Sequence, residues 1–274
     1  MIENVIVIMV RSTIEDVTLL NDCLASLEDN LLSTVNDADF IFFVEKDFGD
    51  LRRRVSLPSS FKNQSSFVEI DLSLPESVST RFQISEYFPH PTHSNGPIGF
   101  GHPGFSIEYR SMCRFFSGLF FMHESLSNYR NYIRLDTDSK FIEGPDISLF
   151  GWLNSKSLYY GYIESAVQQD DKAVVRDLRK NVRQFIGLWK KIRMPSFIGS
   201  RMYYTNFEIG SLDYFRSDVW QSFFSFLDNS GGFYLHRWGD APVRYAGIWA
   251  LCPKRRVRKI PIGFTYFHGD FFKS

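Results

Sequence analysis

Two short apolar runs constrain the fold of this chain more than any other feature. Val5 to Val10 (VIVIMV) is uninterrupted and mostly β-branched, and Phe40 to Val44 (FIFFV) is a second run of the same kind. Such runs are typical of strands buried on both faces of a mainly parallel sheet. Between them, Thr13 followed by Asp16 resembles a helix start, and apolar residues recur at helical spacing over residues 17–27. The segment therefore predicts a strand, a helix and a second strand.

The same alternation continues along the chain. Strands are predicted at residues 66–72 and 132–135, so the whole pattern favours an α/β sheet with helices on its faces. Ligands of such sheets bind at the carboxyl ends of the strands. Further helices are expected over residues 108–123 and 171–191. Arg110 and Arg114 fall one turn apart on the first of these and are expected to form a basic stripe.

A segment dense in proline, glycine and histidine covers residues 87–105 and predicts a long irregular loop. A loop of that length inside a compact domain is more often functional than idle. Its three histidines, His90, His93 and His102, lack metal-binding spacing, so no metal role is expected for them.

The composition excludes several functional classes. The 31 basic residues balance the 31 acidic ones, so no long-range field marks a nucleic-acid binder, and no nucleic-acid partner is expected. Three cysteines are too few, and of the wrong parity, for a disulfide scaffold. The apolar run near the N-terminus is shorter than a signal-peptide core and lacks its flanking features, so neither a leader nor a transmembrane segment is expected in this chain.

Asp136 and Asp138 directly follow the strand predicted at residues 132–135. Two carboxylates two residues apart leave a strand end on the same side. Oxygen ligands of this kind suit Mn²⁺ or Mg²⁺, which keep open positions for diphosphate oxygens. A surface turn is the alternative reading, because a lone Asp-x-Asp is common by chance.

Two later clusters combine an acid with aromatic neighbours. Glu208 lies in a largely apolar stretch, a setting that tends to raise a carboxyl pKa and to build a catalytic acid or base. Asp240 follows glycines and aromatic residues. Proteins often bind sugars with aromatic rings placed beside a carboxylate. The alternative for Glu208 is an ion pair with a nearby arginine, and the alternative for Asp240 is a loop whose aromatic residues only pack.

The remaining candidates are a histidine and several arginines. His268 could reach back from the C-terminal tail as a third metal ligand, and an ordinary exposed or core histidine is the alternative. Arg11, Arg110 and Arg114 are candidates for diphosphate contacts, because guanidinium groups bind phosphate oxygens bidentately. Structural ion pairs are the alternative for each of them.

Four stretches together, in order, resemble the fungal α-1,2-mannosyltransferases of glycosyltransferase family 15. They are YRSMCRF at residues 109–115, YIRLDTDSKF at 132–141, NFEIGSLDYF at 206–215 and GGFYLHRWGDAPV at 231–243. The resemblance covers about residues 105–245 well. It implies a GT-A-like, Rossmann-like mixed sheet flanked by helices in a single catalytic domain over residues 1–274. Residues 1–140 would form the nucleotide-sugar-binding half, and residues 141–274 the acceptor and catalytic half.

The resemblance also implies a site. Asp136 falls where the family has a metal-binding glutamate, and Glu208 matches an acid proposed as nucleophile or as stabiliser of the oxocarbenium-like state. Tyr109 matches a tyrosine near the donor phosphates, and Asp240 an acid near the acceptor. His268 is the counterpart of the family's metal-binding histidine, but it lies two positions later in this sequence than the family pattern has it.

The implied activity is transfer of α-mannose from GDP-mannose to a hydroxyl of a mannose-containing or other glycan, with retention of configuration and with an α-1,2 linkage favoured. Mn²⁺ is the implied cofactor, with Mg²⁺ as the alternative, held by Asp136, Asp138 and His268. Arg11, Tyr109 and Arg114 would contact the donor. The partners are then a nucleotide-sugar donor and an oligosaccharide or glycoprotein acceptor.

Three matters stay open at the level of sequence. Another nucleotide sugar on the same scaffold and a carbohydrate-binding protein without turnover are the rival functions. Retention is compatible with a covalent intermediate on Glu208 and with same-face attack by the acceptor. The resemblance implies the Golgi lumen, whereas the expected lack of a leader or anchor leaves the cytoplasm as the alternative.

Overall fold

The computed structural model describes residues 3–35, 37–61, 65–84, 106–167, 175–189, 201–261, 265–269 and 271–273. These ranges contain twelve strands: β1 (Asn4–Val10), β2 (Ala38–Glu45), β3 (Ser65–Ile70), β4 (Asn131–Leu135), β5 (Ser139–Glu143), β6 (Tyr160–Tyr162), β7 (Ser165–Val167), β8 (Arg201–Tyr203), β9 (Phe207–Ser211), β10 (Val257–Lys259), β11 (Thr265–His268) and β12 (Phe271–Lys273). They also contain ten α-helices: α1 (Ile14–Asn30), α2 (Leu32–Val35), α3 (Glu76–Ser79), α4 (Ile107–Ser117), α5 (Leu149–Ser155), α6 (Leu178–Trp189), α7 (Leu212–Phe215), α8 (Asp218–Asn229), α9 (Gly232–Leu235) and α10 (Asp240–Leu251).

Seven strands form one mixed sheet in the order β10-β6-β9-β4-β1-β2-β3. Strand β1 runs parallel to β2 and β4, and β2 runs parallel to β3, whereas β9 is antiparallel to β4 and β6. The carboxyl ends of β1 and β4 therefore meet at one edge, with Ile8 opposite Leu135. A three-stranded sheet in the order β12-β11-β5 includes β5, which follows β4 closely in the chain.

The sheet separates two apolar cores. Val5 and Val7 of β1 belong to one core, and Ile6 and Ile8 to the other, as expected for a strand covered on both faces. Helices α4, α8 and α10 contribute to the first core, and α1 and α5 to the second. The uninterrupted apolar runs in the sequence are thus explained by burial on both sides.

Helix α1 begins where the sequence predicts it. The hydroxyl of Thr13 accepts a hydrogen bond from the backbone N–H of Asp16 at 3.1 Å, which satisfies one of the free donors of the first turn. Val17, Leu20 and Leu24 lie buried on the face that packs against the sheet. The prediction of a capped, amphipathic helix after the first strand is confirmed.

The helix predicted over residues 108–123 is shorter than expected. Helix α4 ends at Ser117, and a 3₁₀ turn over Leu119–Met122 follows. Gly118 lies between them, and a Cβ added there would lie 2.0 Å from the ring of Phe224, so the aromatic ring occupies the space of a side chain. The close approach of α8 at this glycine is a tertiary feature that helical spacing does not reveal.

The expected basic stripe on this helix is wrong. Arg110 is 1% exposed and donates from Nη1 to the carbonyl oxygen of Tyr234 at 2.8 Å. Arg114 forms a bidentate pair with Asp228, with distances of 2.6 and 2.8 Å. The two guanidinium groups therefore tie α4 to α9 and α8, and neither presents a free basic surface.

Two sequence predictions fall partly or wholly outside the described residues. The loop at residues 87–105, with His90, His93 and His102, lies outside them. Of the helix predicted over residues 171–191, the described part is α6 (Leu178–Trp189), preceded by a turn. Within the described ranges, no helix combines the length and apolar character needed to cross a membrane.

Candidate active site

Two carboxylates and an imidazole meet at the carboxyl end of β4. Asp136 and Asp138 lie in the turn between β4 and β5, and β11 pairs antiparallel with β5 so that His268 lies opposite Ser139. The Nε2 atom of His268 lies 3.3 Å from Oδ2 of Asp136 and 3.0 Å from Oδ1 of Asp138. The strand pairing thus returns the C-terminal tail to the acidic turn, as the sequence suggests for His268.

The three groups perturb one another electrostatically. Burial alone would lower the pKa of His268, but its hydrogen bonds to Asp136 and Asp138 and their negative charges raise that pKa to about 9. Burial would raise the pKa of Asp136, but Arg134 and His268 hold it below its usual range. At neutral pH His268 is therefore an imidazolium that lies between the side chains of Asp136 and Asp138.

The donor atoms fit a divalent cation. One ligand atom from each of Asp136, Asp138 and His268 lies within 4.8 Å of the others, and all three side chains are half-buried. A site made of two carboxylate oxygens and one imidazole nitrogen suits Mn²⁺ or Mg²⁺ better than it suits a metal that prefers thiolate ligands. Metals of this kind complete their coordination with further oxygen ligands such as waters and substrate phosphates.

Arg134 links this cluster to Asp240. It is 3% exposed, and it donates from Nη2 to Oδ1 of Asp136 at 3.1 Å and from Nη1 to Oδ2 of Asp240 at 2.5 Å. Burial would lower the pKa of Arg134, but the charges of Asp240 and Asp136 raise it further above its ordinary value. The hydroxyl of Thr205 also donates to Oδ2 of Asp240, at 2.8 Å. Asp240, the first residue of α10, is thereby fixed close to the acidic turn.

Glu208 lies one strand away and is completely buried. Its Oε1 atom accepts from the hydroxyl of Tyr132 and from Nη2 of Arg244, each at 3.1 Å. Its Oε2 atom accepts from the hydroxyl of Tyr160 at 2.7 Å and from Nε of Arg244 at 3.1 Å. Because Glu208 pairs across the sheet with Arg134, the two side chains leave the same face of the sheet, and the buried ion pair lies beside Arg134.

Three other residues singled out in the sequence occupy different surroundings. Arg11 is exposed and lies three residues beyond Ile8, just as Asp138 lies three beyond Leu135, so both follow the paired ends of β1 and β4. Tyr109, on α4, is 37% exposed, and the guanidinium of Arg237 lies 5.8 Å from the centre of its ring. Arg114 is paired with Asp228. Contacts of these three side chains with a donor remain predictions.

Sequence reasoning missed Arg134, Arg244 and Thr205. One signal was present, because Arg134 interrupts an apolar strand two residues before Asp136, and an arginine in a buried strand needs an anionic partner. Arg244 similarly stands among apolar residues of α10. Nothing in the sequence distinguishes Thr205 from any other polar residue between two strands.

The chain is similar to known proteins in both sequence and fold. Residues 101–273 match the family described as "Glycolipid 2-alpha-mannosyltransferase". The chain is 30% identical over 247 residues to "Probable mannosyltransferase KTR3" of Saccharomyces cerevisiae, covering 85% of this chain and 59% of that protein. In general it spans about half the length of the curated relatives that it matches.

Solved structures show the same fold. Core-mannan synthase A from Aspergillus fumigatus, in a Mn/GDP form, has a TM-score of 0.78 at 23% identity and aligns over 98% of this chain and 75% of its own. The mannosyltransferase Ktr4p of S. cerevisiae, in complex with GDP, also has a TM-score of 0.78, at 20% identity, over 98% of this chain and 72% of its own. The expectation of a GT-A-like mixed sheet flanked by helices is confirmed.

Proposed function

This chain belongs to the glycolipid 2-alpha-mannosyltransferase family, and on that premise we propose that it transfers α-mannose from GDP-mannose to a hydroxyl of a mannose-containing glycan. The observation that carries the proposal is the cluster of Asp136, Asp138 and His268 at the carboxyl end of β4. This is the edge at which open α/β sheets bind nucleotides. The Mn and GDP of the structurally similar proteins support the same choice of metal and nucleotide.

The described residues have distinct places in such a reaction. Asp136, Asp138 and His268 would hold Mn²⁺, which neutralises the diphosphate leaving group when bound. Arg11 follows the neighbouring strand end, where its exposed guanidinium can add a second positive charge for the diphosphate. Asp240 would orient the acceptor hydroxyl. In this proposal, residues 1–140 supply most of the donor site, and residues 141–274 supply Glu208, Asp240 and the metal-binding His268.

The surroundings of Glu208 support same-face attack over a covalent intermediate. Each of its oxygens already accepts two hydrogen bonds, and its charge is paired with Arg244. A nucleophile would have to give up part of this network to reach the anomeric carbon. We propose that Glu208 acts as a fixed charge behind the site, and that the acceptor attacks from the side on which GDP leaves.

The activity is tested by incubating the protein with a panel of nucleotide sugars and divalent metals in the presence of mannose oligosaccharides. We expect release of GDP from GDP-mannose with Mn²⁺, and loss of this activity in Asp136→Ala. Asp213→Ala is a matched control, because Asp213 also accepts a hydrogen bond from an arginine, at 3.0 Å, and is exposed beyond the opposite end of β4. Turnover of UDP-sugars but not of GDP-mannose, or full activity of Asp136→Ala, would contradict the proposal.

The α-1,2 linkage is the finer part of the proposal, and it rests on the family description alone. Proton NMR of the purified product, combined with digestion by an α-1,2-specific mannosidase, identifies both the anomeric configuration and the linkage. A product with a β-linked mannose would show that the donor configuration is inverted and would exclude the same-face route.

A further inference from the structure

Among the residues that the structure describes, Arg134 is the one side chain that hydrogen-bonds both Asp136 at the metal cluster and Asp240, the proposed acceptor-orienting acid. Nη2 reaches Oδ1 of Asp136 at 3.1 Å, and Nη1 reaches Oδ2 of Asp240 at 2.5 Å. The guanidinium carbon lies 3.7 Å from the centre of the Phe116 ring, so the planar group rests on an aromatic face. Three elements, β4, α4 and α10, thus converge on one buried cation.

These contacts determine which carboxylate oxygens remain for ligands. Asp136 gives Oδ1 to Arg134 and turns Oδ2 toward His268, at 3.3 Å. Asp240 gives Oδ2 to both Arg134 and Thr205, and within the described ranges no hydrogen bond involves its Oδ1. One oxygen of each acid is therefore held by the guanidinium, while Oδ2 of Asp136 faces His268 at the proposed metal site and Oδ1 of Asp240 has no hydrogen bond among the described residues.

We infer that Arg134 is a positioning residue, which fixes Asp136 for the metal and Asp240 for the acceptor hydroxyl and so sets the spacing between the two halves of the reaction. The inference rests on the proposed function, which it deepens. Arg134 touches neither substrate nor metal in this scheme. It acts through the two carboxylates.

The geometry requires arginine and not only a positive charge. A guanidinium has two terminal nitrogens in a rigid plane and can hold two carboxylates at once, whereas a lysine ammonium is a single point on a flexible stem. Burial at 3% exposure makes this difference larger, because solvent cannot replace the contact that is lost. Arg134→Lys therefore keeps the charge and removes the bridge.

The test measures Mn²⁺ affinity without any sugar nucleotide, from the electron paramagnetic resonance signal of unbound Mn²⁺. For Arg134→Lys we expect the dissociation constant to rise by about 10- to 100-fold, the range typical when a partner that orients a metal ligand is lost. The KM for the acceptor should also rise. In Arg134→Lys/Asp240→Asn, the charge of Asp240 no longer competes with Asp136 for the lysine, so we expect Mn²⁺ affinity to return toward the wild-type value.

Arg216→Lys is the control for loss of a structural arginine. Arg216 donates to the carbonyl oxygens of Phe121, Tyr129 and Leu126 and contacts none of the site residues described above. We expect this variant to lose thermal stability but to bind Mn²⁺ as the wild type does. Arg134→Gln is measured in parallel. If one of the two variants at position 134 fails to fold, the other still tests the inference.

The outcomes separate the inference from the proposed function. If the wild-type protein binds no Mn²⁺, the proposed metal-dependent function is wrong. If the wild type binds Mn²⁺ and both variants at position 134 bind it equally well, the function stands and the positioning role of Arg134 is refuted. A double variant that binds Mn²⁺ more weakly than Arg134→Lys would also refute it, because a purely structural arginine predicts that loss.

Discussion

His268 determines how the candidate site responds to pH. Its pKa is raised from 6.5 to about 9 in the folded protein, so the folded state binds the proton more tightly than the unfolded state does. The resulting stabilisation is fully present below pH 6.5 and is lost as the pH rises through about 9. In metal-free protein we expect a loss on the order of 3 kcal/mol in the free energy of unfolding across this window.

Urea unfolding in the presence of EDTA, at several pH values from about 6 to about 10, measures this loss. His268→Ala is the control and should lack the part of the pH dependence that falls in this window. Mn²⁺ binding should show the opposite trend, because imidazole coordinates a metal only in its neutral form. We therefore expect Mn²⁺ affinity to increase with pH up to about 9, and an affinity that falls over this range would contradict His268 as a ligand.

Glu208 and Arg244 form a completely buried ion pair, with side chains 0% exposed. Removing the charge of Glu208 leaves an uncompensated buried cation, so Glu208→Gln should cost about 3–5 kcal/mol of stability. Replacing both partners removes the uncompensated charge, and a methionine at position 244 would lie among the rings of Phe121, Phe215 and Trp220. We expect Glu208→Gln/Arg244→Met to be more stable than Glu208→Gln alone.

Chemical denaturation of the wild type and the three variants, including Arg244→Met, gives the coupling energy between the two side chains. The result also bears on catalysis, because loss of activity in Glu208→Gln would reflect destabilisation as well as chemistry. If Glu208→Gln unfolds at the wild-type denaturant concentration, the ion pair does not have the structural role that its contacts indicate.

At the scale of elements, the end of α4 depends on the absence of a side chain at Gly118. A Cβ there would lie 2.0 Å from the ring of Phe224, which is buried between α4 and α8. Gly118→Ala should therefore destabilise the protein by about 1–3 kcal/mol, the usual cost of overpacking a core. Gly187, in α6, has no heavy atom within 4 Å of the corresponding position.

Gly187→Ala is thus a matched control with the opposite expected sign. It should stabilise the protein by about 0.5–1 kcal/mol, because alanine loses less conformational entropy than glycine in a helix. Thermal unfolding of the two variants beside the wild type measures both effects. Equal shifts for the two substitutions would show that the contact with Phe224 does not control the end of α4.

The elements differ in how far the sequence predicts them, and the reason is physical. Strand β1 and helix α1 follow from local signals, namely an apolar run and a Thr13 cap. The end of α4 and the burial of Arg110 depend on contacts with α8 and α9, which are distant in sequence. Asp136 and Asp138 were predicted because they follow a strand, and Glu208 and Asp240 because they stand among aromatic residues. Arg134 and Arg244 gain their roles only from partners that the fold brings to them.

At the scale of the whole molecule, the candidate site joins both parts of the chain. Strands β1 to β4 and strands β6, β9 and β10 belong to one sheet, and His268 reaches the acidic turn through β11. The division into a donor half at residues 1–140 and an acceptor half at residues 141–274 is therefore a proposal about roles within a shared sheet. A ligand at the β4 edge should stabilise strands from both halves together.

This shared sheet predicts a single unfolding transition that responds as a unit to the ligands of the site. With Mn²⁺ and GDP each present at about 100 times its dissociation constant, each ligand that binds only the folded state adds about 2.7 kcal/mol. The two together should raise the melting temperature by on the order of 10 °C. We expect the same rise by far-ultraviolet circular dichroism and by tryptophan fluorescence, no rise for Mn²⁺ in Asp136→Ala, and a smaller one with UDP in place of GDP. Two transitions, of which only one shifts with Mn²⁺ and GDP, would show instead that the two halves unfold independently and that the sheet does not couple them.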